Sequence, residues 1–193
     1  MPKYNYNPSD THDNAYHMVN YKDYEFEPQR SNNFEVQFTG LNNLVTVDKS
    51  SKLDGTKATD TIRLACAGSG TPGFSVETLK IQRGNAEVKF AGKASYDDSE
   101  IKLNDFIGKD VEKIISAWQG LVYNPRTQNI GKASDYKKTG YLLEFSPDHA
   151  IVRQWELVGC WVSKVSYGDY SSDNPSLRQI TATIVYDYAI PLD

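Results

Sequence analysis

Two cysteines, two methionines and three histidines are all that this 193-residue chain has of the side chains that most often bind soft metals or act as tuned nucleophiles. Two thiols cannot build a metal site alone. Cys66 and Cys160 both sit in apolar, strand-like segments, so buried free thiols kept in a reducing cytoplasm are the expectation. His12 and His17 lie in a polar N-terminal stretch and His149 in the turn "SPDHA", where imidazoles are usually solvated. No apolar run approaches the ~18–20 residues of a membrane span, and no signal-peptide-like apolar stretch opens the chain. An excess of positive charge is missing too. The formal charge is −4, which argues against a general nucleic-acid binder with a basic face. Also absent are a G-x-S-x-G elbow, an H-E-x-x-H pair and internal repeats of about 20–50 residues. "GSGTPG" follows a strand-like run, opens no helix and lacks the phosphate-loop lysine, so it reads as a turn.

What is present describes a folded chain. Hydrophobic residues make up 39% and charged residues 24%, the balance of a soluble globular protein with one domain, or one domain and an appendage. The appendage is the first thirty residues, rich in Tyr, Asn and Asp and nearly without Leu, Ile or Val. Residues 1-30 therefore read as an arm that cannot bury enough apolar surface to fold alone, disordered by itself and ordered on assembly. Residues 31-193 read as the domain.

Within the domain, periodicity is mostly that of strands. "NFEVQFTG" alternates Phe34, Val36 and Phe38 on one face. Residues 42-60 read as a long polar loop, and "DTIRLACAG" as a strand with Ile62, Leu64 and Cys66 facing one way. "VETLKIQRGNAEVKFAGK" is a hairpin turning at Gly84-Asn85. Spacings of three and four at Val111, Ile114, Ile115, Trp118 and Leu121 predict one helix over 107-121, capped by Asn104 or Asp105 and ending near Gly120. A polar loop follows, then three closing strands. In the last, Ile180, Ala182, Ile184, Tyr186 and Tyr188 alternate. The sum is a mainly β (α+β) chain: an antiparallel β-sandwich or barrel with one flanking helix.

The best local candidate for chemistry is Asp97-Asp98, in "GKASYDDSEIKLND". It lacks the alternating oxygen ligands, central Gly and terminal Glu of a calcium loop. It also lacks a neighbouring His and any surroundings that would push two carboxyl pKa values apart. A turn ahead of the strand "EIKL" is the better account. Trp155 and Trp161 on one β-segment could form a sugar-stacking platform, although Trp in strands more often packs in a core or interface. No catalytic, cofactor-binding or metal residue is assigned.

The order of the motifs resembles the tail tube proteins of contractile-tailed bacteriophages. The run "LACAGSGTPGFSVETLKIQRGNAEVKFAGKASYDDSEIKLND", the helix ending at Trp118, and the closing block with Gly159, Trp161, Val162 and Val165 before Asp187 and Tyr188 carry the likeness over about residues 33–190. The tubes of contractile injection and type VI secretion machines are related. The resemblance implies a structural virion protein, made in the host bacterial cytoplasm, with no enzymatic role and no cofactor. It implies hexameric rings stacked head to tail as the inner tail tube, the conduit for DNA ejection inside a contractile sheath. The implied partners are further copies of the chain, the tail sheath, baseplate and tail terminator proteins, and the tape measure protein and genomic DNA passing through the lumen; no membrane is involved. Two alternatives are an inner tube of a phage-derived injection or secretion system and, in another class, a carbohydrate-binding β-sandwich module. A lumen that passes DNA is expected to be neutral to acidic, with Glu77, Glu87 and Asp187 as inward-facing candidates.

Tyr4, Tyr6, Tyr16, Tyr21 and Tyr24 give the arm rigid contact area against a neighbouring copy. Deleting residues 1-30 should shorten or destabilise the polymer, measured by electron microscopy and thermal dissociation. Tubes of unchanged length and stability would refute this reading.

Overall fold

Alternating apolar residues build a sheet in which every strand pairing is antiparallel. The computed structural model describes residues 29–42, 44, 58–107, 111–170, 173 and 176–192. Residues 1–28 of the arm and 45–57 of the expected loop lie outside them, as do His12 and His17. From Phe34 onward the chain makes one unit.

The strands are β1 (Phe34–Phe38), β2 (Cys66–Ser69), β3 (Phe74–Arg83), β4 (Ala86–Tyr96), β5 (Ser99–Asn104), β6 (Tyr123–Asn124), β7 (Asn129–Ile130), β8 (Lys138–Phe145), β9 (Ile151–Ser166), β10 (Gln179–Val185) and β11 (Tyr188–Leu192). The helices are α1 (Ala58–Ala65), α2 (Val111–Val122) and the single turn α3 (Ala133–Tyr136). The main sheet runs β1-β8-β9-β10-β5-β2, with β11 also on β9. The edge strands β1 and β2 approach each other, so the sheet curls toward a barrel.

The long strand β9 makes this curl possible. Its first half pairs with β8 on one edge and β11 on the other, and its second half pairs with β10. The β8–β9 register slips between Lys138 and Gly140, opposite Gly159. Gly159 has φ +74, and a Cβ there would run into the Asp187 carboxylate. Only glycine fits this bulge without strain. The partner strand breaks at the same level. The expected single last strand is therefore two, β10 and β11, parted at Tyr186-Asp187, and Asp187 N–H donates to Val158 O at 2.9 Å. Ile180, Ala182, Ile184 and Tyr186 are buried as the alternation required, whereas Tyr188 lies past the break and is exposed.

The helix α2 closes the core. Val111, Ile114, Ile115 and Trp118 are fully buried against β9 and α1, together with Phe38, Leu41, Ile101, Leu103 and Val162. Trp118 is held at both ends of its indole. Nε1–H donates to Tyr136 O at 2.8 Å, and the ring meets Phe38 edge-on at 5.1 Å.

Several local expectations change. Residues 58–65 are helical, not part of a strand. Ala58, Thr61, Ile62 and Ala65 form the buried stripe while Leu64 points to solvent, so the apparent alternation of Ile62, Leu64 and Cys66 was coincidental. The loop expected over 42-60 accordingly ends at Ala58. The described residues contain three helices, not one. The helix expected over 107-121 is helical from Val111 to Val122, with residues 108–110 outside the described set. Of the expected caps, Asn104 belongs to β5 and the Asp105 carboxylate is held by Arg178 at 2.6 Å. The mainly β, antiparallel class stands.

Truncating Trp118 removes the largest fully buried side chain. Trp118→Ala should cost about 3–5 kcal/mol of unfolding free energy, measured by urea denaturation. Trp118→Phe should cost less, because it keeps one aromatic ring in the core while losing the rest of the indole and its hydrogen bond to Tyr136.

Candidate assembly surface

A two-stranded ribbon has two faces and can bury neither by itself. The β3–β4 hairpin is such a ribbon, and all of its residues are exposed except Tyr96. Its base is anchored by Tyr96, whose ring lies 5.7 Å from Phe74 and 6.1 Å from Tyr186. Its turn is at Gly84-Asn85, as expected, with Gly84 at φ +62 in the first turn position, where two-residue hairpins favour glycine.

The register decides which side chains share a face. The pairing slips between Val76 and Thr78, placing an extra residue of β4 near Gly92. A Cβ at Gly92 would stand 2.9 Å from the Glu77 carbonyl oxygen, so this close approach requires glycine. Beyond the bulge Leu79 faces Phe90 and Ile81 faces Val88. Side chains directly opposite share a face, so these four form one apolar strip. All four are exposed. The other face carries Thr78, Lys80, Gln82, Glu87 and Lys89, with Lys80 Nζ 3.4 Å from Glu87. This is an amphipathic ribbon whose apolar side is exposed.

A second exposed apolar group lies at the far end of β5. Asp105 N–H donates to Arg178 O at 3.0 Å, which brings the segment after β5 beside the segment before β10. Phe106, Ile107, Leu177 and Tyr170 are exposed there. Arg178 ties them together. Nε donates to Tyr167 O at 3.0 Å, the terminal nitrogens meet Asp105 at 2.6 Å and Glu112 at 2.9 Å, and the guanidinium lies 4.8 Å from the Tyr170 ring centre. Hydrogen bonding to Glu112 is the main cause that raises the Arg178 pKa further. A third feature is an open groove of about 430 Å³ beside β11, lined by Ile151, Val152, Trp155, Pro191 and Leu192.

The residues singled out from sequence do not converge. Asp97 and Asp98 are the two residues joining β4 to β5, with Asp97 N–H bonded to Gly73 O at 3.1 Å. Glu77 lies at the hairpin bulge, Glu87 pairs with Lys80, and Asp187 pairs with Lys137 Nζ at 2.7 and 2.6 Å beside the β9 bend. His149 sits in the β8–β9 turn with φ 65. Trp155 packs against the core and Trp161 meets Tyr136 edge-on at 6.0 Å, so the two do not form a shared stacking platform. Among the described residues no cluster of His, Cys, Asp and Glu could hold a metal ion, and no helix is long and apolar enough to cross a membrane. The sequence reading missed the two apolar surfaces. The alternation of Leu79 with Ile81 and of Val88 with Phe90 was its available signal.

A family model described as "Phage tail tube protein" matches residues 29–190. Among solved structures, the chain is similar to one from the PVC sheath/tube terminator in its extended state, part of an extracellular contractile injection system. That match has TM-score 0.61 and 12% identity, over 86% of this chain and 98% of that chain. It is also similar to one from the PVC sheath-tube complex in the extended state, with TM-score 0.56, 11% identity and coverage of 92% and 96%. A third likeness is to the tube-terminating cap of the anti-feeding prophage, with TM-score 0.60, 10% identity and coverage of 86% and 91%. Identities this low speak to fold alone. None of the curated proteins matches the chain.

Both cysteines are free thiols. Burial pushes Cys66 up to about 11 and Cys160 up to about 12. A raised folded-state value favours the folded state below the ordinary thiol range. That stabilisation is lost as pH rises from about 9 through these values. Stability should therefore decline above about pH 9. At pH 8 native protein should react slowly with a thiol-selective disulfide reagent and denatured protein at once. Equal rates would contradict the burial argument.

Proposed function

This chain belongs to the phage tail tube protein family, and on that premise we propose that it assembles into hexameric rings stacked head to tail as the inner tube of a contractile tail. The family is one of structural tube proteins and not of enzymes. The observation that carries the proposal is the β3–β4 hairpin, with an exposed apolar strip of Leu79, Ile81, Val88 and Phe90. An isolated two-stranded ribbon is marginal in water, and a contiguous apolar face of this kind marks a contact surface. The ends of the main sheet at β1 and β2 would suit sheet extension from one copy to the next, which would remove edges that otherwise invite aggregation.

On this reading the tail sheath, baseplate and terminator proteins meet the tube from outside and at its ends. The tape measure protein and then genomic DNA occupy its lumen, and the arm of residues 1-30 orders on a neighbour. A net charge of −4 per copy favours a wall without a phosphate-binding minimum, because a few Lys or Arg contacts per turn would hold the polyanion by counterion release. The second reading, an inner tube of a contractile injection device, draws support from fold likeness to the PVC and anti-feeding prophage components.

The test pairs assembly with passage. Wild-type protein should form rings and tubes in negative stain, and added double-stranded DNA should not be retained even at low salt. Leu79→Asp with Phe90→Asp should keep its circular dichroism and Tm, since both residues are exposed, yet form no tubes. Normal tubes from this variant would overturn the role given to the hairpin, and tight DNA retention by a basic wall would overturn the conduit.

A further inference from the structure

Half of the main sheet turns a polar face outward, and strand register shows which side chains that face carries. Along β5 and β10 the buried side chains are Ile101, Leu103, Ile180, Ala182 and Ile184, so the residues between them point away from the core. Pairing puts Glu100, Thr183 and Lys164 in one row across three strands. The next row holds Gly68, Lys102, Thr181 and Ser166, and beyond it Asn104 faces Gln179. Among the described residues these rows contain no apolar side chain. Glu100, Lys102 and Lys164 are exposed. Gly68 leaves room for the Lys102 stem, since a Cβ there would stand 3.8 Å from Lys102 Cβ and Cδ. Only toward the β9 bend does the face become apolar, at half-buried Val185 and Trp161, the latter against Tyr136.

A face with nothing apolar to bury gains little from contact with protein and stays in water. The outer face of the other half of the sheet differs, because Tyr188, Ile190 and Leu192 of β11 are exposed there. In a tube enclosed by a sheath, the surface left in water is the lumen. Resting on the tube reading above, we infer that the rows of Glu100 and Lys102 line the lumen, and that Glu100 offsets Lys102 and Lys164 so that passing DNA is not held. The earlier candidates lie elsewhere: Glu77 and Glu87 on the hairpin, Asp187 at the β9 bend.

Two uncompensated lysines per copy, repeated around every ring, would hold a duplex at low salt by counterion release. Glu100 is placed to prevent this. It is two residues from Lys102 along β5, about 7 Å at ~3.3 Å per residue. It is two strands from Lys164, about 10 Å at ~4.8 Å per strand. At low salt both distances fall within the screening length. A phosphate drawn to either lysine therefore also meets the repulsion of the carboxylate. Thr181, Thr183 and Ser166 fill the remaining positions with hydroxyls, which carry no charge.

The experiment assembles full-length tubes with a labelled DNA duplex, digests accessible DNA with nuclease, and measures what stays protected. Wild-type tubes should protect none. Glu100→Gln tubes should protect duplex at ~50 mM salt and lose it by ~200 mM. Adding Lys102→Gln and Lys164→Gln to that variant should abolish the protection. Glu87→Gln changes the net charge equally and should protect none. Glu100→Gln tubes that protect no DNA would overturn the inference. So would protection by Glu87→Gln to the same extent, since net charge would then be the cause. Position is read independently of the charge variants, in Thr183→Cys tubes. Their added thiol should react with a small maleimide but not with one coupled to a carrier too large to enter the lumen. Equal reaction with both reagents would put this face outside, overturning the inference and leaving the tube reading intact. Wild-type protein that forms no tubes would overturn both.

Discussion

A close backbone approach at Gly159, filled by the Asp187 carboxylate and held by Lys137, governs how this subunit is put together. A straight strand of sixteen residues would continue one flat sheet. With an extra residue at Gly159 it turns, and β10–β11 turns with it, so one strand serves two halves of a curled sheet. The concave side then has room for α2, and Trp118 fills it. Leu157 and Cys160, on either side of the bend, are buried in the same core that receives Trp118. The core, the register of the last strands and the placing of α2 are consequences of one bulge.

The remaining design lies outside that core. A subunit that buried every apolar side chain would have no reason to associate. Here the body closes on itself while the β3–β4 ribbon keeps its apolar strip outside. The turn at Gly84-Asn85 sets the register of this strip, and the bulge at Gly92 shifts the register of the hairpin base, where Val76 pairs with Ala94. Both glycines thus act through register, Gly159 on the interior of the subunit and Gly92 on its exterior.

Much of this was legible because it is local. The stripe of Val111, Ile114, Ile115 and Trp118, the turn at Gly84-Asn85 and the alternation of β1 are written in consecutive residues. Features that depend on distant partners were not legible. Asp105 looks like a helix cap until Arg178, 73 residues away, takes its carboxylate. Ile62, Leu64 and Cys66 alternate like a strand, but the burial of Ala58, Thr61 and Ala65 against β1 makes the segment helical, since small side chains let a short helix sit close. The assembly surfaces were hidden for a related reason. A strand pattern shows which residues share a face, but whether that face is covered depends on the rest of the fold.

The composition of the hairpin strip has a thermal consequence. Leu79, Ile81, Val88 and Phe90 offer a neighbour no hydrogen bond and no charge, so an association that closes on them is driven by the release of water. Near room temperature that drive is largely entropic, and it weakens on cooling. The subunit's own apolar core shares this dependence, but it is reinforced by strand ladders and ion pairs that do not share it to the same degree. In the proposed tube the balance of forces would therefore differ between subunit and polymer: chilling would loosen contacts between copies while each copy stays folded, and gentle warming would favour the longer polymer until the subunits themselves begin to melt.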